Sequence, residues 1–186
     1  MDSVAFTRMA DGTAAEYAVL GRLWQEHRDE HLADNLIALF EQTKGPTLGY
    51  KIDRYQHGLQ AASRALREGA DEEMVVVALL HDIADAIAPD NHSEVGAAIL
   101  RPFVSEANYW LLKHHGVFQG YYYFDHVGQD RDARERYRGH PHFELTANFC
   151  EKWDQTSFDP DYDTLPRSAF EPLLRRVIAA PKRLYD

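Results

Sequence analysis

Cysteine, positive charge and long apolar runs are all scarce in this 186-residue sequence. Its one cysteine, Cys150, excludes an internal disulfide framework and a zinc site built from several cysteines, and it favours a reducing, cytoplasmic setting. The longest apolar run, residues 74–80, is far shorter than the ~20 residues that a membrane span needs. The first residues lack the basic and apolar regions of a secretory signal. We therefore expect a cytoplasmic protein with no membrane partner.

Basic residues are also few, since 20 Lys and Arg stand against 30 Asp and Glu, for a formal net charge of -10. Nucleic-acid-binding proteins normally carry a basic surface, so we expect no nucleic-acid partner. Histidine, by contrast, is abundant, with 10 residues. Because imidazole is a metal ligand and also a general acid or base near neutral pH, the histidines are the first indication of function.

Helical patterns dominate the sequence, without repeats or low-complexity segments. Thr13 and Glu16 form a capping-box pattern before one helix, and a second helix is predicted to include residues 36–40 and to stop at Gly45 and Pro46. Further helices are predicted over residues 53–68, 73–87, 93–100, a stretch after Ser105, part of 131–137, 143–152 and 169–178. An all-α fold in one domain over residues 1–186 follows from these patterns.

His81 and Asp82 follow an apolar run, where ionisable side chains are costly to bury unless they pair or bind a metal. Other residues of metal-ligand type occur on neighbouring predicted helices: His57, His92, the pair His114 and His115, and Asp154. Imidazole and carboxylate ligands suit Fe, Mn, Zn or Ni, and one aspartate can bridge two ions. Four histidines and two aspartates suffice for two ions with open positions, whereas a structural zinc site needs only four ligands and no vacancy.

These residues resemble the HD-domain superfamily, and more closely its mixed-valent diiron oxygenases, which include myo-inositol oxygenase and the oxygenases that cleave 1-hydroxyalkylphosphonates. The stretches that carry the resemblance are QHGLQAA, LLHDI, HSEVGAAIL, KHHG, YRGHPHF and KWD. The resemblance implies a helical bundle with an HD core over residues 32–178 and an N-terminal helical extension over residues 1–31. The ligands that it implies are His57, His81, Asp82 as the bridge, His92, His115 (with His114 as the alternative) and Asp154.

The resemblance also implies an Fe(II)/Fe(III) pair as cofactor and O2 as co-substrate, with His81 and Asp82 at the catalytic centre. The expected reaction is oxidative cleavage of the C–P bond of a small hydroxylated phosphonate to a carboxylic acid and phosphate. Two alternatives stay open. A metal-dependent HD phosphohydrolase would use the same metals to generate hydroxide for attack on nucleotides or other phosphate esters. A non-catalytic HD module would only bind a small ligand.

The expected substrate-binding residues depart from those of the relatives. Myo-inositol oxygenase carries a lysine where this sequence has Asp85, and the phosphonate oxygenases carry a lysine where it has Gln119. Some relatives gate the metal with a tyrosine and a glutamate, for which Tyr50 is the counterpart here. The sequence therefore predicts the metal centre more firmly than the substrate.

Two further groups are candidate substrate residues. The residues Tyr121, Tyr122 and Tyr123 either pack in an ordinary loop or, with the Asp85 carboxylate, hold a trimethylammonium group by cation–π contact. Arg138 and His140 either bind phosphonate oxygens, since arginine presents a planar fork of donors, or lie in a basic surface turn. If His114 is not a ligand, it is expected beside the centre or at the surface.

Overall fold

The structure, a computed structural model, describes residues 3–182. Within that range it contains helices and no β-strand, which confirms the predicted all-α fold. The helices are α1 (Ala14–Glu41), α2 (Arg54–Arg67), α3 (Glu72–Leu80), α4 (His92–Leu100), α5 (Glu106–Gln119), α6 (Phe143–Phe149) and α7 (Glu171–Ala179). Short 3-10 helices lie at Met9–Asp11, Gly120–Tyr122, Phe124–Val127, Ala133–Tyr137 and Arg167–Ala169, and a π-helical turn, Cys150–Asp154, continues α6. None of the described helices is long and apolar enough to cross a membrane.

The chain forms two compact units, Met1–Ile37 and Ala38–Asp186. One domain over residues 1–186 stays a prediction, and its ends, residues 1, 2 and 183–186, lie outside the described part. In the first unit the predicted capping box is confirmed. The amide of Glu16 donates to the Thr13 hydroxyl at 3.3 Å, and the amide of Thr13 donates to the Glu16 carboxylate at 2.9 Å.

A single long helix, α1, replaces the two helices predicted in the N-terminal part of the chain. No glycine or proline interrupts residues 22–44. Polar pairs one turn apart also support the middle of the helix, with Arg22 bonded to Glu26 at 2.8 Å and Gln25 bonded to Asp29 at 2.7 Å. The predicted break was therefore wrong, because this stretch contains no residue that ends a helix.

Helix α3 forms the centre of the second unit. Its side chains from Met74 to Leu80 are all buried, as expected for a helix that is apolar on every side. Helices α2 and α7 pack against it, α4 packs against α5, and α5 packs against α6. The side chain of Asp71 caps α3 by accepting a hydrogen bond from the amide of Met74 at 2.8 Å.

The helix predicted to reach Ile87 ends at Leu80 instead. Beyond Leu80 the amides bond to carbonyls three residues back, from Ile83 to Leu80 at 3.0 Å and from Asp85 to Asp82 at 2.9 Å. Such bonds tighten the backbone into 3-10-like turns. The tight turns place the polar residues that follow the apolar helix at the end of the core, where the candidate site lies.

Candidate metal centre

The close approach of α2 and α3 brings His57 and His81 together. A Cβ atom at Gly58 would lie only 2.6 Å from the carbonyl oxygen of Leu79, so a larger residue would hold the two helices further apart. The Nε2 atoms of His57 and His81 are 3.0 Å apart, and their side chains are 1% and 0% exposed. Two imidazoles are thus buried in the core with their ring nitrogens facing each other.

Asp82, in the tight turn after α3, lies between two pairs of imidazoles. Its Oδ2 is 3.6 Å from Nε2 of both His57 and His81. Its Oδ1 is 3.3 Å from Nε2 of His92, at the start of α4, and 3.2 Å from Nε2 of His115, in α5. Each oxygen of one carboxylate therefore faces a different pair of histidines.

Asp154, in the π-helical turn after α6, completes the cluster. Its Oδ1 lies 3.3 Å from Nε2 of His57 and 3.7 Å from Nε2 of His81. Its Oδ2 is buried and has no hydrogen-bond partner within residues 3–182. The six residues predicted as ligands thus converge in the structure: His57, His81, Asp82, His92, His115 and Asp154. In the structure His115 faces Asp82, whereas His114 does not.

The four imidazoles share one orientation. In each ring Nδ1 lies near a backbone carbonyl, which only accepts hydrogen bonds, so Nδ1 is the donor. The acceptors are Ser157 for His57 at 2.8 Å, Ala78 for His81 at 2.9 Å, Pro89 for His92 at 3.1 Å and Leu112 for His115 at 2.7 Å. A neutral ring with its proton on Nδ1 presents a lone pair at Nε2, which is the usual arrangement of histidine ligands.

This donor set fits metal ions. With both rings neutral, lone pairs of His57 and His81 would face each other at 3.0 Å, and the other imidazoles point their Nε2 atoms at carboxylate oxygens. Without a cation between them, such groups repel or leave buried acceptors unsatisfied. Two groups of three bring their ligand atoms within 4.8 Å of one another, namely His57, His81 and Asp154, and His81, Asp82 and His115. His92 adjoins the second group through its 3.3 Å contact with Oδ1 of Asp82.

The charges of the cluster favour a cation. The pKa of His81 is raised to about 9, because Asp82 and Asp154 outweigh the lowering effect of burial. Burial raises the pKa of both aspartates, but the neighbouring imidazoles outweigh it and lower both values. Both carboxylates are therefore ionised at neutral pH, which is the form that binds metal, and a metal ion would displace the proton from His81.

A cavity of about 380 Å³ opens onto the cluster. Four of the predicted substrate or gate residues line it, namely Tyr50, Gln119, Tyr122 and Tyr123. The lining also includes Asp82, His92, His115 and Asp154 from the cluster. Tyr50 is 50% exposed and Tyr123 is 46% exposed, so both stand at the open side of the cavity. The cavity therefore gives a small molecule access to the histidines and aspartates.

The lining does not include Tyr121 or His114 among the described residues. The ring of Tyr121 packs against the guanidinium groups of Arg134 at 3.6 Å and Arg131 at 4.5 Å. Its ring thus already contacts two cations of the chain, and the structure does not bring it to the cavity, where a cage for trimethylammonium would need it. His114 stacks on the ring of Trp110, with centroids 4.2 Å apart, and lies away from Asp82.

Arg138 and His140 also lie outside the lining, within the described range. Arg138 is exposed and forms ion pairs with Glu135 at 2.7 Å and Glu144 at 3.1 Å. His140 stacks on Trp110 at 4.2 Å. Both residues therefore take the plainer alternative, a surface turn with its own partners, and not the predicted contact with phosphonate oxygens.

Asp85 is likewise absent from the residues that line the cavity, within the described range. Its carboxylate accepts a hydrogen bond from Nε of Arg54 at 3.1 Å. A second contact, 3.5 Å, joins its other oxygen to Nδ1 of His92. The charge of Asp85 is thus compensated by an arginine of the chain, so the reason for expecting an ammonium group there is lost.

Arg54, Gln155 and Phe158 also line the cavity and were not predicted from the sequence. A signal for Arg54 was present, because it precedes His57 by three residues on α2 and so shares its helix face. Phe158 stacks on the ring of His57, with centroids 4.3 Å apart, but no spacing in the sequence pointed to this contact. It follows from the path of the chain after Asp154.

The family comparison agrees with this arrangement. The model of the HD domain matches residues 54–157, more than half of the chain, and this span contains all six residues of the cluster. No curated protein matches the chain significantly. HD domains are characteristic of metal-dependent hydrolases and oxygenases. By this match and by its all-helical fold, the chain belongs to the HD-domain family.

Proposed function

We propose that this chain is a diiron oxygenase that uses O2 to cleave the C–P bond of a 1-hydroxyalkylphosphonate. One substrate and one O2 give one carboxylic acid and one phosphate, so O2 is the only oxidant required. Two iron ions, as an Fe(II)/Fe(III) pair, would supply the binding of the substrate hydroxyl and the activation of O2. The choice of O2 chemistry and of a phosphonate substrate is what the resemblance to the diiron oxygenases implies.

The position of Asp82 is the observation that carries the proposal. Its two oxygens face separate pairs of imidazoles, 3.2 to 3.6 Å away. A carboxylate in that position is suited to bridge two ions, and two ions can clamp a substrate and a second reactant side by side. A single structural zinc ion would need neither the second pair of histidines nor an adjoining cavity.

The chain's own residues have defined tasks in this proposal. Backbone carbonyls hold the four imidazoles with Nε2 towards the ions, through the bonds from Nδ1 described above. Gln119 lines the cavity, and its Oε1 is buried without a hydrogen-bond partner in the described structure. That oxygen is placed to accept a hydrogen bond from a substrate. Phe158, stacked on His57, shields one side of the cluster from water.

A phosphohydrolase remains the alternative, because the cationic side chain of Arg54 at the cavity would suit a phosphate ester as well as a phosphonate. The two functions differ in their oxidant. Hydrolysis needs only water, which the metal ions would activate, whereas the proposed cleavage consumes O2.

The decisive experiment follows phosphate release and O2 consumption together. Protein produced in iron-rich medium is analysed for metal content, and the half-oxidised sample is examined by electron paramagnetic resonance for a coupled Fe(II)/Fe(III) pair. With a series of 1-hydroxyalkylphosphonates we expect one O2 consumed per phosphate released, and no release under anaerobic conditions. Hydrolysis of phosphate esters at the same rate with and without O2 would refute the proposal in favour of the phosphohydrolase.

A further inference from the structure

Arg54 is the one permanently cationic side chain among the described residues that line the cavity. It lies in the first turn of α2, three residues before His57, and its side chain is 29% exposed. The remaining charged groups in the lining are the carboxylates Asp82 and Asp154, whose charge bound metal ions would compensate. Loaded with metal, the cavity would therefore attract an anion.

The guanidinium of Arg54 is held in place from three sides. Its Nε donates to Asp85 at 3.1 Å. The ring of Tyr50 lies 4.7 Å from its central carbon, and the ring of Phe158 lies 5.6 Å from it. Tyr50 and Phe158 also stack on each other, with centroids 5.1 Å apart. These contacts restrict the rotation of the Arg54 side chain and so fix the plane of its guanidinium group.

The bond to Asp85 uses Nε, and the Tyr50 side chain takes part of the remaining hydrogen-bonding capacity. The two terminal amino groups of Arg54 carry four N–H donors, more than one phenol oxygen can accept, so donors remain for a ligand in the cavity. The pKa of Arg54 is raised, since the charges of Asp82, Asp85 and Tyr50 outweigh the lowering effect of burial. The planar guanidinium can donate two parallel hydrogen bonds to two oxygens of a tetrahedral phosphorus oxyanion. The ammonium group of a lysine lacks this geometry.

We propose that Arg54 binds the phosphorus oxyanion of the substrate and that Asp85 is a positioning residue, which orients Arg54 and does not itself touch substrate. This inference rests on the proposed function for the identity of the anion as a phosphonate. The shared chemistry, a tetrahedral phosphorus oxyanion beside the metal centre, also describes a phosphate ester. Arg54 thus supplies the positive charge in the cavity, and the substrate supplies the negative charge.

The first test measures binding without turnover. Methylphosphonate has the oxyanion but no hydroxyl to oxidise, so its affinity for the metal-loaded protein is measured by calorimetry. We expect Arg54→Gln to weaken binding by about 10- to 100-fold, the range for a lost charged hydrogen bond, and Arg54→Lys to weaken it less. Arg138→Gln, which removes an exposed arginine with its own acidic partners, is the matched control and should bind as the wild type does.

A second test isolates the role of Asp85. If Asp85 acts through Arg54, Asp85→Asn raises the KM for the phosphonate with kcat unchanged, and this effect disappears when Arg54→Gln is already present. The double variant Arg54→Gln with Asp85→Asn also leaves no unpaired carboxylate near His92. If Arg54→Gln alone loses metal because the unpaired Asp85 carboxylate disturbs His92, the binding measurement is made with this double variant instead. An effect of Asp85→Asn that persists in full without Arg54 overturns the positioning role.

The outcomes separate this inference from the proposed function. Unchanged methylphosphonate affinity in both Arg54→Gln and the double variant, with metal content intact, overturns the role of Arg54 even if turnover needs O2. Loss of affinity together with O2-independent hydrolysis of ethyl phosphate supports Arg54 while refuting the oxygenase. Loss of affinity together with O2-dependent phosphate release from 1-hydroxyethylphosphonate supports both.

Discussion

Gly58 offers a direct test of how the two helices bring the buried histidines together. A Cβ atom there would lie 2.6 Å from the carbonyl oxygen of Leu79 and 2.8 Å from a ring carbon of Phe40. The Leu79 oxygen is a backbone atom of the buried helix α3, so it cannot avoid the contact by a side-chain rotation. We therefore expect Gly58→Ala to move α2 away from α3 and to separate His57 from His81.

The expected change in stability follows from two opposing effects. Overpacking a core contact costs about 1–3 kcal/mol, whereas alanine is favoured over glycine inside a helix by about 0.5–1 kcal/mol. The net loss, up to about 2.5 kcal/mol, should lower Tm by up to roughly 10 °C in a chain of this size. Because the Nε2 atoms of His57 and His81 lie 3.0 Å apart across the same contact, metal affinity should fall as well.

The assay compares Gly58→Ala with Gly21→Ala, which also replaces a glycine inside a helix. A Cβ atom at Gly21 meets nothing within 4 Å, so this control should gain helix stability and raise Tm by roughly 1–4 °C. Thermal unfolding is measured on metal-free protein, because bound metal would raise the apparent stability of the folded state. Metal binding is then measured by equilibrium dialysis. If Gly58→Ala is as stable as Gly21→Ala and binds metal as tightly as the wild type, the close approach of the helices does not hold the histidines together.

Two further predictions concern named carboxylates. Asp82→Ala should lose both metal ions, because each oxygen of Asp82 faces one pair of histidines. Asp163→Ala, which removes a 93% exposed carboxylate, should keep both. Metal analysis that finds one ion retained in Asp82→Ala would contradict a bridging role for Asp82. The pKa of Glu73 is lowered from 4.5, because hydrogen bonds from Lys182, Ser105 and Asn108 outweigh its burial. Its stabilisation is therefore present above about pH 4.5 and is lost as the pH falls through the lower folded-state pKa. Glu73→Gln should lower Tm at pH 7, and its Tm should fall less steeply with decreasing pH than the Tm of the wild type does. The control is Glu144→Gln, which changes an exposed carboxylate. If Tm falls as steeply with decreasing pH in Glu73→Gln as in this control, Glu73 does not contribute the proposed stabilisation.

Helix patterns in the sequence were sufficient to predict the all-α fold, whereas the choice of the six candidate ligands came from the resemblance to HD domains. Helix periodicity placed His57 on the buried face of an amphipathic helix and His81 at the end of an apolar run, where ionisable side chains are costly to bury unless they pair or bind a metal. The end of α3 was harder to predict. Residues 81–87 are apolar enough to continue a helix, and only the backbone bonds of the turn show where α3 ends.

The charge pair beside the cavity could not be read from spacing, because its two members come from distant segments of the chain. Arg54 and Asp85 are 31 residues apart and meet only when α2 lies beside the turn after α3. In the sequence, Asp85 therefore looked like an unpaired carboxylate. The ring of Tyr121 likewise looked available, whereas Arg134 covers it at 3.6 Å. Charge pairing between distant segments depends on tertiary contacts, which local periodicity does not encode.

The hydrogen bonds that orient the imidazoles differ in their reach along the chain. Three of them are local, because the acceptor carbonyl lies three residues earlier, for His81, His92 and His115. The fourth is not, since His57 donates to the carbonyl of Ser157, 100 residues later. Short turns can therefore orient the rings of His81, His92 and His115, whereas the ring of His57 is oriented only when both ends of the HD region have met. A metal ion bound by His57 would tie the ends of that long loop together as a cross-link does, so metal binding would stabilise the folded HD region against unfolding.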